Sequence, residues 1–173
     1  MKKILVVVDM QNDFINGSLG SCEAENIVES VKEKIQQYDI TNIYVTRDTH
    51  TEDYLNTNEG RHLPVIHCIK DSVGWQLNES IEKAVEGAVI IDKPTFASVE
   101  LADMLKEENN REAIEIEIVG LCTDICVISN ALLLKAFMPE VKIKVDSRCC
   151  AGVTTESHKM ALETMKMCQI DVI

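Results

Sequence analysis

A chain of 173 residues has the size of one domain, since domains run to ~100–200 residues. With 46% hydrophobic and 27% charged residues, only 7 Gly and 3 Pro, it is neither disordered, collagen-like nor linker-rich. Seventeen basic against 29 acidic residues leave a net charge of −12, which repels phosphate backbones and anionic membranes and sets nucleic acid and membrane aside as partners.

Strand and helix patterns alternate along the chain. Ile4 to Val8 is a continuous apolar run, as in a strand covered on both faces. Ala24, Ile27, Val28, Val31 and Ile35 follow the helical period. Ile43 to Val45 is a short strand, followed by a long irregular stretch from Thr49 to Val73 whose length favours a functional loop. Asn78 caps a helix with Ile81, Ala84 and Val85 inward, and Ala88 to Ile91 is another strand. Ser98 caps a helix carrying Leu101, Met104 and Leu105 that stops near Asn109-Asn110. Ile114 to Val119 is a strand with Glu115 and Glu117 on one face. Thr123 to Phe137 is helical and apolar nearly all round, which predicts a well-buried helix. Val141 to Val145, Thr155 to Met167 and Asp171 to Ile173 complete the pattern as strand, helix and strand. Such alternation predicts an α/β fold over residues 1–173, a parallel sheet with helices on both faces.

Seven cysteines contain no C-x-x-C pair, so zinc-ribbon and thioredoxin readings fail. No secretory leader and no run approaching the ~20 apolar residues of a membrane span is visible. The expectation is a cytosolic protein with reduced thiols, most of them small buried hydrophobes.

Ligands of open α/β sheets bind beyond the carboxyl ends of the strands. Asp9, Asp48 with His50, Lys93, and Cys126 all follow strands and converge on one rim. Each alone has a bland reading: a turn acid, a solvated lysine, a core thiol. Together they form a nucleophilic set. Cys126 falls in the first turn of a helix, where free N–H groups, the helix dipole and Lys93 would lower its pKa from ~8.5 toward neutrality. Asp9 could take the thiol proton and pass it to a leaving group. Asp48, His50, Glu59 and His67 suit a divalent metal such as zinc, manganese or iron. His62 and His158 read as plain surface residues.

These residues resemble the isochorismatase-like cysteine hydrolases, and within them the nicotinamidases, over nearly the whole chain. Asp9-x-Gln11-x-Asp13-Phe14 is similar to the first motif of the family. Asp48-x-His50 with Pro64-Val65-Ile66-His67-Cys68 is similar to its metal loop. Lys93, and Gly120-x-x-Thr123-Asp124-x-Cys126-Val127, are similar to its remaining catalytic motifs, and Asp146 to Leu162 to its closing segment.

The resemblance implies a six-stranded parallel sheet in Rossmann-like order, Cys126 as nucleophile, Asp9 as base and acid, and Lys93 as the thiolate's partner. It also implies a cis peptide between Leu121 and Cys122, with the N–H groups of Cys122 and Cys126 as oxyanion hole. Asp48, His50 and His67 would hold a divalent metal, zinc first, with Glu59 as fourth ligand. The substrate would be a small carboxamide, nicotinamide foremost, and the protein a homo-oligomer. The alternatives are another small amide, or a metal-binding or redox module in which Cys122 and Cys126 oxidise together. The chain departs from many nicotinamidases at Pro64, where an aromatic residue stacks on the pyridine. With aromatics at 4%, Phe14 and Phe96 are the remaining candidate walls. The Cys149–Gly152 segment and the 123–137 helix are candidate interface elements.

Overall fold

The computed structural model describes residues 1–173. Six parallel strands form one sheet: β1 (Lys2–Val8), β2 (Ile43–Asp48), β3 (Val89–Lys93), β4 (Ile114–Leu121), β5 (Lys142–Ala151) and β6 (Asp171–Val172). Their order is β3-β2-β1-β4-β5-β6, the order expected from the resemblance. Reversal of the winding direction beside β1 opens a crevice between the ends of β1 and β4.

The helices are α1 (Asn12–Ile15), α2 (Cys22–Ile35), α3 (Asn58–His62), α4 (Glu79–Ala84), α5 (Val99–Arg111), α6 (Ile128–Phe137) and α7 (Thr155–Met167). They cover both faces. Ile4, Val6 and Val8 of β1 pack with Leu101, Leu105, Leu134 and Met165 on one side. Leu5 and Val7 pack with Ile27, Val31, Ile35 and Ile81 on the other. This is why β1 reads as an unbroken apolar run rather than an alternation. Each such side chain stabilises the fold by ~1.5–3 kcal/mol relative to exposure.

The caps follow the sequence. Asn78 accepts from Ser80 N, Ser98 from Leu101 N, and Ser21 from Ala24 N. Gly120 has φ +117°, and a Cβ there would collide with the backbone of Val8. A glycine is therefore required where β4 runs against the end of β1. No helix is long and apolar enough to cross a membrane.

The helix after Ser98 ends at Arg111, near Asn109-Asn110 as expected, and Asn109 Oδ1 accepts from Ile114 N as the chain turns into β4. Several other expectations are corrected. The Thr123–Phe137 segment is not buried all round: Ile128, Leu132, Leu133 and Phe137 are only half-buried, since α6 packs one face inward. Cys149 and Cys150 lie in the core on opposite faces of β5, so they form no surface. Cys22 and Cys168 are exposed at helix ends rather than packed as small hydrophobes.

Candidate active site

The strand ends deliver Asp9, Asp48, Lys93 and Cys126 to one rim. Parallel register sets Val8 beside Thr46, and Asp48 beside Lys93. Asp9 takes a left-handed backbone, φ +49°, a conformation aspartate tolerates better than most residues. Gln11 then locks β1 to β2. It is fully buried; its Nε2 donates to Asp48 O and Trp75 O, both at 2.8 Å, and its Oε1 accepts from Asp48 N at 2.7 Å.

The acid, the cation and the thiol meet. Lys93 Nζ lies 2.7 Å from Asp9 Oδ2, 3.4 Å from Cys126 Sγ and 3.5 Å from Asp48 Oδ1. Thr46 Oγ1 donates to Asp9 Oδ1 at 2.7 Å, while Oδ2 has no aligned hydrogen-bond donor. Two carboxylates flanking it hold the Lys93 ammonium protonated against its burial. Burial raises the Asp9 carboxyl, with Lys93 opposing. Cys126 is 4% exposed. Burial, and then the neighbouring Asp9 charge, push its thiol well up, so the expected lowering at a helix start is corrected. The helix-start effect is outweighed because the sulfur sits in low dielectric beside an anion.

The turn carrying Cys126 is a π-type turn over Thr123–Val127, entered through a cis Leu121–Cys122 peptide. Asn130 pins it: Nδ2 donates to Cys126 O at 2.8 Å and Phe96 O at 3.2 Å, and Oδ1 accepts from Ser98 N at 2.9 Å. A second fastening comes from the segment after β5. His158 Nδ1 lies 2.8 Å from Thr123 Oγ1, and Val153 N donates to Asp124 Oδ2 at 3.1 Å. His158 is therefore half-buried against Gly152 rather than a plain surface residue. His62, by contrast, is exposed as expected.

The long loop wraps back over the rim. Thr57 caps α3, Tyr54 is buried with its hydroxyl donating to Leu63 O at 2.9 Å, and Cys68 N donates to Asp13 Oδ2 at 2.7 Å. These contacts bring Glu59 and His67 to Asp48 and His50. One ligand atom from each lies within 4.8 Å of all the others. His50 Nε2 is 2.9 Å from Asp48 Oδ2 and 3.6 Å from Glu59 Oε1. His67 Nε2 is 3.6 Å from Asp48 Oδ2 and 3.7 Å from Glu59 Oε1.

Three facts test whether these residues fit a metal. His50 Nε2 is buried yet aligned with no hydrogen-bond partner, despite its short approach to Asp48. Ligands on a tetrahedral zinc stand ~3.3 Å apart, given bonds of ~2.0–2.1 Å, close to the longer separations found here. In addition, Val65 O faces His67 Nδ1 at 2.7 Å. A proton there leaves Nε2 as the lone-pair nitrogen facing the cluster. The donor set fits a divalent ion.

Cys126 and the donor cluster share one cavity of about 900 Å³. Phe14 and Phe96 both line it, Phe14 buried with its ring 5.6 Å from His67 and Phe96 45% exposed at the rim. Trp75 does not line it; its indole N–H donates to Thr49 Oγ1 at 2.8 Å. Sequence reading missed Asn130, Tyr54 and the support by Gln11. A polar Asn in the middle of a mostly apolar helix was the one visible signal for Asn130.

The isochorismatase domain model matches residues 3–173. The nicotinamidase of Saccharomyces cerevisiae is 28% identical, covering 75% of this chain and 80% of the yeast protein. An uncharacterized isochorismatase family protein of Bacillus subtilis is 27% identical, covering 94% of this chain and 93% of its own. Among solved structures, the pyrazinamidase of Pyrococcus horikoshii in complex with zinc superimposes with a TM-score of 0.78 at 28% identity, covering 100% of this chain and 99% of that one. The chain belongs to the isochorismatase family.

Proposed function

We propose that this member of the isochorismatase family is a cysteine amidohydrolase that converts a small carboxamide into its acid and ammonia, with nicotinamide the leading substrate. The observation that carries the reading is the meeting of Asp9, Lys93 and Cys126 in a cavity shared with a four-residue donor cluster. The nicotinamidase of yeast and the pyrazinamidase of Pyrococcus horikoshii support the amide class.

The reaction starts from the Cys126 thiol beside the Asp9 carboxylate, and burial raises the proton affinity of both groups. Asp9 takes the Cys126 proton as the sulfur adds to the amide carbon. The Lys93 ammonium balances the negative charge that passes from carboxylate to sulfur. The carbonyl oxygen becomes an oxyanion, received by the N–H groups of Cys122 and Cys126. Asp9 then protonates the nitrogen, the C–N bond breaks, and ammonia leaves a thioester on Cys126. A water gives one proton to Asp9 and adds its hydroxyl to the thioester. The C–S bond breaks, the acid departs, and Asp9 returns its proton to the sulfur.

Asp48, His50, Glu59 and His67 would hold a divalent metal, zinc first, as a Lewis-acidic anchor for a lone pair on the substrate. Phe14 stands against this cluster and Phe96 at the rim, where each can contact the acyl part. A redox module is the weaker reading, because burial pushes the Cys122 thiol up to about 12 and thiolate is the form that oxidises. Self-association is part of the proposal, supported by the apolar, half-buried Ile128, Leu132, Leu133 and Phe137 on α6.

Ammonia release from nicotinamide, assayed with the wild type and Cys126→Ala, tests the reading. Turnover should vanish in the variant, with mass spectrometry showing acylation of Cys126 in the wild type. Undiminished turnover in the variant, or no release from any carboxamide by the wild type, overturns it.

A further inference from the structure

We infer that the site also takes nicotinamide-like amides whose uncharged acyl part extends beyond one ring, and binds them more tightly than nicotinamide itself. This rests on the amidohydrolase reading and narrows its substrate class. Three features of the cavity carry it.

The first is size. A cavity of about 900 Å³ lies in the upper part of the ~300–1,000 Å³ range that accommodates drug-sized ligands. A single-ring carboxamide placed with its carbonyl at Cys126 fills only a small part of that space.

The second is the nature of the walls. Beyond the reacting groups they continue through Leu19, Ala24, Leu63, Phe96, Ile125 and Val153. Phe96 and Val153 are 45% and 61% exposed, so carbon surface is left in water until a ligand covers it. Pro64 is exposed and does not line the cavity. No ring from that position divides the space, and Leu63 lines it instead.

The third is charge. No Lys or Arg side chain lines the cavity; the titratable groups on its walls outside Cys122 and Cys126 are Asp48 and Glu59 with His50, His67 and, at the exposed edge, His62. Lys93 is buried between two carboxylates and cannot serve a second anion. Gly20 and Ser21 bring the start of α2 to the wall, but Ser21 already caps that helix and its first turn carries Glu23 and Glu25. A divalent ion on Asp48, His50, Glu59 and His67 would already be balanced in charge by the two carboxylates, so with a net charge of −12 on the chain a further carboxylate on the substrate would enter without a partner of its own and against the field.

The test compares nicotinamide, 5-phenylnicotinamide and 5-(4-carboxyphenyl)nicotinamide on the zinc-loaded protein. Calorimetry with Cys126→Ala measures binding without turnover, and ammonia release by the wild type measures kcat/KM. The phenyl compound should bind about tenfold tighter than nicotinamide, for the apolar area it covers, and the carboxyphenyl compound at least tenfold more weakly than the phenyl one. Equal or weaker binding of the phenyl compound overturns the size argument, and equal binding of the carboxyphenyl compound overturns the charge argument. Either failure with nicotinamide still hydrolysed leaves the amidohydrolase reading intact. Tight phenyl binding with no ammonia from any amide supports the cavity argument and sinks the amidohydrolase reading.

Discussion

Asn130 donates its side-chain N–H to the carbonyl oxygen of Cys126 at 2.8 Å, one helical turn back along the chain. Its Oδ1 accepts from Ser98 N and its Nδ2 also reaches Phe96 O, so one buried amide ties the turn that carries Cys126 to the segment following Lys93. In Asn130→Ala, Ser98 N and Cys126 O lose partners inside the fold, where each orphaned group costs ~1–3 kcal/mol. The variant should melt several degrees lower and show kcat reduced at least tenfold with KM nearly unchanged. Calorimetric unfolding and steady-state ammonia release check both.

Metal binding should be visible without any turnover. Zinc added to metal-free protein at about 100 times its Kd should stabilise the fold by ~2.7 kcal/mol, a rise of several degrees in Tm for a chain of this size. His67→Ala removes a buried ligand and should abolish that rise, whereas Glu59→Gln, at the more exposed ligand, should only reduce it. Elemental analysis gives the stoichiometry independently. A wild type whose Tm ignores zinc, manganese and iron would rule out the centre.

His158 holds Thr123 from outside the site, at 2.8 Å. His158→Ala leaves the fully buried Thr123 hydroxyl without that partner and frees the turn preceding Cys126. We expect kcat to fall about tenfold, from ~1.4 kcal/mol of lost positioning, with KM little changed. His158→Asn, which offers a polar atom close to where Nδ1 stands, should recover most of the rate. Equal kinetics for the two variants would show that only packing matters at this position.

Away from the site, Lys34 Nζ bridges Glu117 Oε1 at 2.7 Å and Asp146 Oδ2 at 2.9 Å. Hydrogen bonds from Arg148 and Lys34 hold the Asp146 carboxyl below its usual range against the effect of burial. A depressed carboxyl contributes stability that is present above its unfolded pKa of ~3.9 and is lost as pH falls through its folded value. Lys34 is shifted up, with Glu117 and Asp146 outweighing burial. Its contribution is complete below ~10.4, the unfolded value, and fades as pH rises through the folded one. Lys34→Met should therefore cost ~1–3 kcal/mol at pH 7, less than the loss of a fully buried partner. The deficit should shrink below pH 4. Denaturant melts at pH 7 and pH 3 measure the two differences.

The architecture was legible in the sequence because it is written in short-range patterns. β1 reads as Ile4 to Val8 because both of its faces are covered. Ser98 and Asn78 announce helix starts through local hydrogen bonds. Parallel strands with crossovers then force their carboxyl ends onto one rim, so Asp9, Asp48, Lys93 and Cys126 could be placed together from chain order alone.

What only the tertiary structure decided depends on distance and dielectric, which spacing does not carry. The rim position of Cys126 suggested a lowered pKa, but its sulfur is buried beside Asp9 and is pushed the other way. His158 looked like a surface residue until the β5–α7 segment folded it onto Thr123, 35 positions away. Asn130 is one of several polar residues in α6, and only its packing against Ser98 and Phe96 makes it the anchor of the turn that carries Cys126. The size of the cavity and its apolar outer walls likewise arise where segments distant in the chain face one another. The length and net charge of −12 bounded the fold and its partners. Which of those acidic groups stand at the cavity, with no exposed cation to answer them, was set by long-range packing.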